Sequence, residues 1–222
     1  MKVGFYNVYW GSPKPERTVH LVLADMMIRS VRRTMPDVEI VQLTDEQSPQ
    51  VWGVDSVRRL PRMPRAVQCV THYSHCEGNW LLVDTDIIVQ RDVRDVFRYE
   101  FDVAVADREG CMVDGEEDTD LMKNMPFNIG VIFSRSPAFW KAVLEKLSAM
   151  PEQKQEWMGN QNAACAVMAE HRFHVKVLPG LVFNRPPFNS DDRCQEASII
   201  HFKGPMRKRW MLDRFEDEFM VA

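Results

Sequence analysis

The sequence predicts an α/β fold organised on an open, parallel sheet. The chain opens as a strand at Val3–Tyr9, a helix from Pro15 to about Met35 and a second strand at Val38–Leu43. That order implies a parallel pair joined by a right-handed crossover. Short apolar runs rich in β-forming residues then recur between helical stretches, at Trp80–Val83, Phe101–Ala106 and Phe127–Ser134. The 222 residues are 45% hydrophobic and 27% charged, an ordinary globular balance. They suffice for one domain, residues 1–222, with a sizeable core.

The elements follow in order. Gly11-Ser12-Pro13-Lys14-Pro15 ends the first strand in a turn. On the helix, Val19, Val22, Leu23, Met26 and Ser30 share a face, Arg29, Arg32 and Arg33 crowd the last turns, and Pro36 stops it. The second strand ends in Thr44-Asp45. Pro61–Pro64 is a linker, Arg65–Cys76 a helix leading into Trp80–Val83, and Val93–Phe97 one helical turn. Arg108–Asn124 is a long acidic connection of the kind used for lids and binding loops, or simply disordered. Phe127–Ser134 carries an amide, Asn128, near its start and Gly130, which admits a close neighbour. Helices are expected from Pro137 through Leu147 and over Gln161–Glu170, the latter preceded by Trp157-Met158-Gly159-Asn160. Strands at Val175–Leu178 and Ser198–Ile200 complete the chain, the last running into His201-Phe202-Lys203-Gly204.

Composition excludes some partners. A net charge of −4 gives no reason to expect nucleic-acid binding. No stretch approaches a membrane span, and Met1-Lys2-Val3-Gly4-Phe5 lacks the apolar core of a signal peptide. Cys69, Cys76, Cys111, Cys165 and Cys194 are odd in number and never spaced C-x-x-C, which fits reduced thiols in a cytoplasmic protein.

Chemistry concentrates at strand ends, where parallel sheets collect their ligands. Asp84-Thr85-Asp86 closes the apolar run Trp80-Leu81-Leu82-Val83. Carboxylates two residues apart on extended backbone point to one side. Brought close, they need a cation between them or one must take a proton. Oxygen ligands suit Mg²⁺ or Mn²⁺. The bland reading is a polar turn. The second copy of the tripeptide, Asp118-Thr119-Asp120, lies in an acidic stretch with almost nothing apolar and reads as a solvated loop. His201 also follows an apolar strand, and with two Asp it makes a ligand set for Mn²⁺. Lys203, Arg207, Lys208 and Arg209 follow it, either a solvated surface or a cradle for a diphosphate.

Four stretches, in order, resemble the GT-A glycosyltransferases, and among these family 8, the glycogenin and galactosyltransferase-like nucleotide-sugar enzymes. Asp84-Thr85-Asp86 matches the D-x-D strand, Phe127-Asn128-Ile129-Gly130 the F-N-x-G strand, Gly159-Asn160-Gln161 the D-Q segment, and His201-Phe202-Lys203-Gly204 the start of H-F-x-G-x-x-K-P-W. The resemblance implies a GT-A fold, a mixed and mostly parallel sheet flanked by helices. It also implies transfer from a nucleotide diphosphosugar, a UDP-sugar above all, to an acceptor hydroxyl. Asp84, Asp86 and His201 would hold Mn²⁺ or Mg²⁺. Asn160 and Gln161 would act at the sugar. Tyr6, Tyr9, Asp45, Arg65, Thr85, Asn128, Lys203, Gly204, Arg207 and Lys208 would bind the donor, with plainer roles beside some of them: a helix cap for Asp45, a surface arginine for Arg65, an amide satisfying loop backbone for Asn128.

Two positions depart from the pattern. Asn160 stands where the family has an acid, and Arg207 where it has the diphosphate lysine, with Trp210 one residue late. Asn cannot serve as the carboxylate base of an inverting reaction, and the H-F-x-G resemblance implies a retaining enzyme instead. A haloacid dehalogenase-type phosphatase competes, but Ile88 stands where its motif has Thr or Val, and Asp191-Asp192 follows a loop-like stretch instead of a strand. A sugar nucleotidyltransferase would need a Gly- and Arg-rich first loop, which Gly11–Pro15 is not. A catalytically silent nucleotide-sugar binder stays open through Asn160.

Overall fold

The computed structural model describes residues 1–8, 15–108, 125–156 and 158–220. Its strands are β1 (Lys2–Tyr6), β2 (Glu39–Asp45), β3 (Ser56–Leu60), β4 (Trp80–Val83), β5 (Ile87–Val89), β6 (Val103–Asp107), β7 (Phe127–Ser134), β8 (Val175–Leu178) and β9 (Ile199–His201). Its α-helices are α1 (Pro15–Thr34), α2 (Arg65–Tyr73), α3 (Pro137–Ser148), α4 (Gly159–Ala169), the single turn α5 (Gly180–Phe183) and α6 (Pro205–Met220). Among the described residues no helix is long and apolar enough to cross a membrane.

Seven strands form one sheet in the order β3-β2-β1-β4-β7-β6-β8, and β5 pairs with β9 in a separate ribbon. The β1–β2, β1–β4, β2–β3 and β6–β8 pairs are parallel, while β7 is antiparallel to both β4 and β6. Among the described strands, then, β7 alone runs against the rest of the main sheet. Its beginning therefore lies beside the end of β4.

Helices cover both faces, so the central strands are apolar on both sides. In β4, Leu81 and Val83 face a core shared with Ala24, Met27, Ile28 and Val31 of α1. Trp80 and Leu82 face the opposite core, with Val70 and Tyr73 of α2, Trp140 and Val143 of α3 and Val167 of α4. A third cluster joins Leu23 and Met26 of α1 to Ile88, Ile200, Phe202, Met211 and Phe215, which fastens the ribbon and α6 to the sheet's flank. Because α1 serves two cores, it is buried around much of its circumference from Leu23 to Val31.

Several expected boundaries move. β1 ends at Tyr6, short of Tyr9, which lies outside the described residues, as do residues 109–124 and Trp157. α4 begins at Gly159, so Asn160 and Gln161 belong to its first turn; a Cβ at Gly159 would sit 2.3 Å from the Lys154 carbonyl oxygen. His201 is the last residue of β9 instead of following it. β3 and α6 were not anticipated.

Candidate functional site

The two strand ends that carry Asp84 and His201 meet through backbone pairing. The Asp84 N–H donates to the Gly130 carbonyl of β7 at 2.8 Å, holding β4 and β7 together just past Val83. Three residues later Ile87 pairs with His201, and the Phe202 N–H donates to the Asp86 carbonyl at 2.8 Å. His201 Nε2 consequently lies 3.3 Å from Asp86 Oδ1 and 3.6 Å from Asp84 Oδ2. One ligand atom from each of these three residues falls within 4.8 Å of the others. Asp86 and His201 are buried, while the Asp84 side chain is 57% exposed at the mouth.

The β7 strand is shaped to admit this cluster. Its pairing with β6 slips between Val105 and Ala106, leaving Ile129, Gly130 and Val131 as a bulge. Bulges bend a strand and re-aim its groups. The Ile129 N–H, freed from the ladder, donates to Gln161 Oε1 at 3.3 Å, and Gln161 Nε2 returns a bond to the Phe127 carbonyl at 3.1 Å. The Gly130 N–H donates to Asn128 Oδ1 at 3.0 Å. At Gly130 itself, a Cβ would fall 2.3 Å from His201 Cε1 and 2.6 Å from Asp84 Oδ2. Glycine is what leaves the space for both side chains.

Charge is unevenly shared. Burial works against ionising Asp86, but His201 and Lys208 outweigh it and hold the carboxyl well below the ordinary range. Desolvation in the cleft, then the neighbouring Asp86 charge, push the Asp84 carboxyl upward. Lys208 Nζ donates to Asp86 Oδ2 at 2.5 Å. Two carboxylates and an imidazole nitrogen converge with one lysine as counter-charge, a donor set of the hard and borderline kind that Mn²⁺ and Mg²⁺ accept. The residues fit such an ion.

The basic run resolves by helical geometry. Successive residues on a helix point about 100° apart. Lys208 turns toward the carboxylates. Arg207 is buried and donates to the carbonyls of Pro187 and Lys203, both at 3.0 Å, tying residues 185–188 onto α6. Arg209 is exposed on another side. In this fold Arg207 bonds the 185–188 segment and the connection before α6, and Lys208 is the cation of the run that meets the carboxylates. Lys203 and Gly204 lie in the short connection before α6, and Thr85 in the turn between the two aspartates.

The remaining predicted residues are placed as follows. Arg65 opens α2, exposed, with its charge acting on Asp84. Tyr6 donates to Gln68 Oε1 at 2.9 Å, and burial raises its hydroxyl pKa far above the usual value. Asp45 is buried, with Oδ1 accepting from the Gln47 and Ser48 N–H groups at 3.0 and 2.6 Å, so that this oxygen caps the turn after β2. Asn160 Oδ1 accepts from the Gln161 N–H at 2.9 Å, and its Nδ2 lies 3.9 Å from Cys69 Sγ. Gln161 is spent on β7, as described. Asn128 Oδ1 is likewise engaged, by Gly130 and by Asn184 Nδ2 at 3.0 Å, which leaves its own Nδ2 to address a ligand.

Two residues escaped the sequence. Asn184, 1% exposed, receives a contact of 2.7 Å from His201 Nδ1 at its Oδ1. A lone Asn between Phe183 and Arg185-Pro186-Pro187 carries no pattern that would single it out. His20, on the exposed side of α1, is held below its usual pKa by burial and by the Lys208 and Arg65 cations, which places it near both. Its position one helix away from the strand ends hides it from any strand-end rule.

Known proteins share the family profile and the fold. The family profile described as nucleotide-diphospho-sugar transferase matches residues 53–209. No curated protein matches by sequence. Among solved structures, the chain is similar to the galactosyltransferase LgtC crystallised with donor and acceptor sugar analogues, with a TM-score of 0.60 at 12% identity, covering 100% of this chain and 97% of that one. It is similar to apo GlyE, a glycosyltransferase of Streptococcus pneumoniae TIGR4, with a TM-score of 0.63 at 16% identity, covering 100% of this chain and 60% of that one. Mouse xyloside xylosyltransferase 1 aligns with a TM-score of 0.55 at 11% identity, over 91% of this chain and 97% of that one. The fold is that of the GT-A glycosyltransferases.

Proposed function

The chain belongs to the nucleotide-diphospho-sugar transferase family, and from that premise we propose that it moves a sugar from a UDP-sugar to an acceptor hydroxyl, with retention, using Mn²⁺ or Mg²⁺ held by Asp84, Asp86 and His201. The observation that carries this reading is the convergence of those three side chains at the end of β4. The bound ion would supply Lewis-acid neutralisation of the departing diphosphate. Lys208 adds a positive charge beside the same oxygens, one whose interaction strengthens as charge develops on the leaving group. The Nδ2 groups of Asn128 and Asn160 orient the donor sugar. Arg65, at the mouth, meets the donor's phosphates. Tyr6 and Asp45, at the ends of β1 and β2, face the side where the uracil would lie; Tyr6, with its raised pKa, stays protonated throughout.

In the transfer, the bond from the anomeric carbon to the phosphate oxygen breaks and a bond to the acceptor oxygen forms on the same face. The acceptor's proton passes to the departing phosphate oxygen. No side-chain carboxylate is then required as base, in keeping with Asn160 at the family's acid position.

The test is a thermal-shift panel of UDP-, GDP- and ADP-sugars with and without Mn²⁺. Ligand at about 100 times its dissociation constant adds about 2.7 kcal/mol, or roughly 5–10 °C for a domain of this size. A shift is expected for UDP-sugars with Mn²⁺, lost in Asp84→Asn and Asp86→Asn and reduced in Asp45→Ala. A shift independent of the ion, or equal for all three nucleotides, contradicts the proposal. Proton NMR of the first-formed product tests retention, and a β-anomer from an α-linked donor rules it out.

A further inference from the structure

The reading of Asp84, Asp86 and His201 as an ion site leaves open what aims the imidazole, and the hydrogen bonds behind it answer in one direction only. The chain of bonds starts at a group whose polarity is fixed. The Gly130 N–H is a backbone donor, so the Asn128 atom that meets it at 3.0 Å must be the oxygen, Oδ1. Asn184 meets that same oxygen at 3.0 Å and must therefore present its NH₂ there. Its Oδ1 then faces His201 Nδ1 at 2.7 Å, and a carbonyl oxygen requires a proton on that nitrogen. A flipped Asn184 would set two oxygens against each other at the Asn128 end.

We infer that Asn184 is a positioning residue of this site, acting through His201: it holds the imidazole with Nδ1–H turned inward, so that Nε2 presents its lone pair to the space between Asp84 and Asp86. Asn128, Asn184 and His201 are 9%, 1% and 2% exposed, so water does not offer the ring an alternative partner. The backbone of Asn184 is fixed as well. Its N–H donates to Gly180 at 2.9 Å, and the next residue is bridged to β9 from both sides, Arg185 N–H to Ile199 at 3.2 Å and His201 N–H to Arg185 at 2.9 Å. Asn184 thus travels with the strand that carries its histidine. Ligating histidines are ordinarily oriented through their second nitrogen, and loss of that partner weakens ion binding about 10–100-fold.

The inference rests on the ion reading, and two measurements keep the two separable. Mn²⁺ binding without any sugar nucleotide is titrated for the wild type, Asn184→Ala and Asn184→Asp. The nitrogen that binds Zn²⁺, a diamagnetic probe, is identified by ¹⁵N NMR of the labelled proteins. Expected are Nε2 coordination in the wild type, a 10–100-fold loss of Mn²⁺ affinity in Asn184→Ala, and a smaller loss in Asn184→Asp, which keeps an acceptor for Nδ1–H. Should Asn184→Ala fail to fold, the wild-type nitrogen assignment and Asn184→Asp still decide. Wild-type coordination through Nδ1, or affinity within twofold in Asn184→Ala, overturns the role of Asn184 while leaving the ion site standing. A wild type that binds neither Mn²⁺ nor Zn²⁺ removes the ion reading, and this inference with it.

Discussion

Replacing Gly130 with alanine adds one carbon at the most crowded point of the site. Its Cβ would stand 2.3 Å from His201 Cε1, 2.6 Å from Asp84 Oδ2 and 2.9 Å from Asn128 Oδ1, all closer than real Cβ contacts come. The backbone at this position is not left-handed, so alanine meets no intrinsic conformational objection. It would gain about 0.4–1 kcal/mol from a stiffer unfolded chain. Overpacking costs about 1–3 kcal/mol, so a net loss on the order of 1–2 kcal/mol is expected, or roughly 2–8 °C. The larger consequence falls on the ion. Relieving the contact requires moving His201 or Asp84 by roughly 1 Å, several times the tolerance of about 0.2 Å in ion–ligand distances. Mn²⁺ affinity should therefore fall at least about tenfold. Urea denaturation and Mn²⁺ titration read the two effects. Gly78→Ala is the control: its φ of 86° makes alanine strained, but nothing lies within 4 Å, so stability drops while Mn²⁺ binding holds. Wild-type ion affinity in Gly130→Ala would refute the crowding argument.

Three further outcomes follow from other contacts. Lys208→Met removes the competitor for Asp86, so Mn²⁺ binding without donor should hold or tighten while turnover falls roughly 100-fold; unchanged turnover in a steady-state assay would release Lys208 from the diphosphate. Arg207→Met strands the carbonyls of Pro187 and Lys203 and should cost about 2 kcal/mol in urea denaturation, without altering the salt dependence of donor binding. His72 is buried and held down to about 4. The unfolded chain takes up its proton below about 6.5 and the folded one only below about 4, so stability is lost as pH falls between them. The loss attributable to His72 approaches about 3 kcal/mol, and a His72→Gln variant should show a correspondingly flatter urea midpoint between pH 7 and 4.5.

How much the sequence disclosed depended on whether a feature is local. Phe127–Ser134 and Val175–Leu178 could be read to the residue, because apolar runs bounded by breakers are strands whichever neighbours they find. The direction of β7 is not encoded in such a run, and only the motif resemblance pointed to a mixed sheet. β3 was missed because Arg58 and Arg59 interrupt it; it is one of the sheet's two edge strands, where charged side chains are tolerated. α6 was missed because Arg207, Lys208 and Arg209 read as one cluster, although a helix sends them three ways. The Asp84, Asp86 and His201 grouping was legible from strand ends, whereas Asn184 emerged only from the hydrogen bonds of the folded chain.

The ribbon of β5 and β9 has a consequence for how the site comes into being. Every strand of the seven-stranded sheet is supplied by residues 2–178, yet His201 and Lys208 arrive afterwards, on β9 and α6. During synthesis, with N-terminal parts organising first, the sheet can be laid down with Asp84 and Asp86 already beyond the end of its central strand and His201 not yet beside them. The pairing of Ile87 with His201 closes a span of more than a hundred residues in a single ribbon contact. An ion held by all three side chains would favour that closure, so the site would be completed only when the segment carrying β9 and α6 docks.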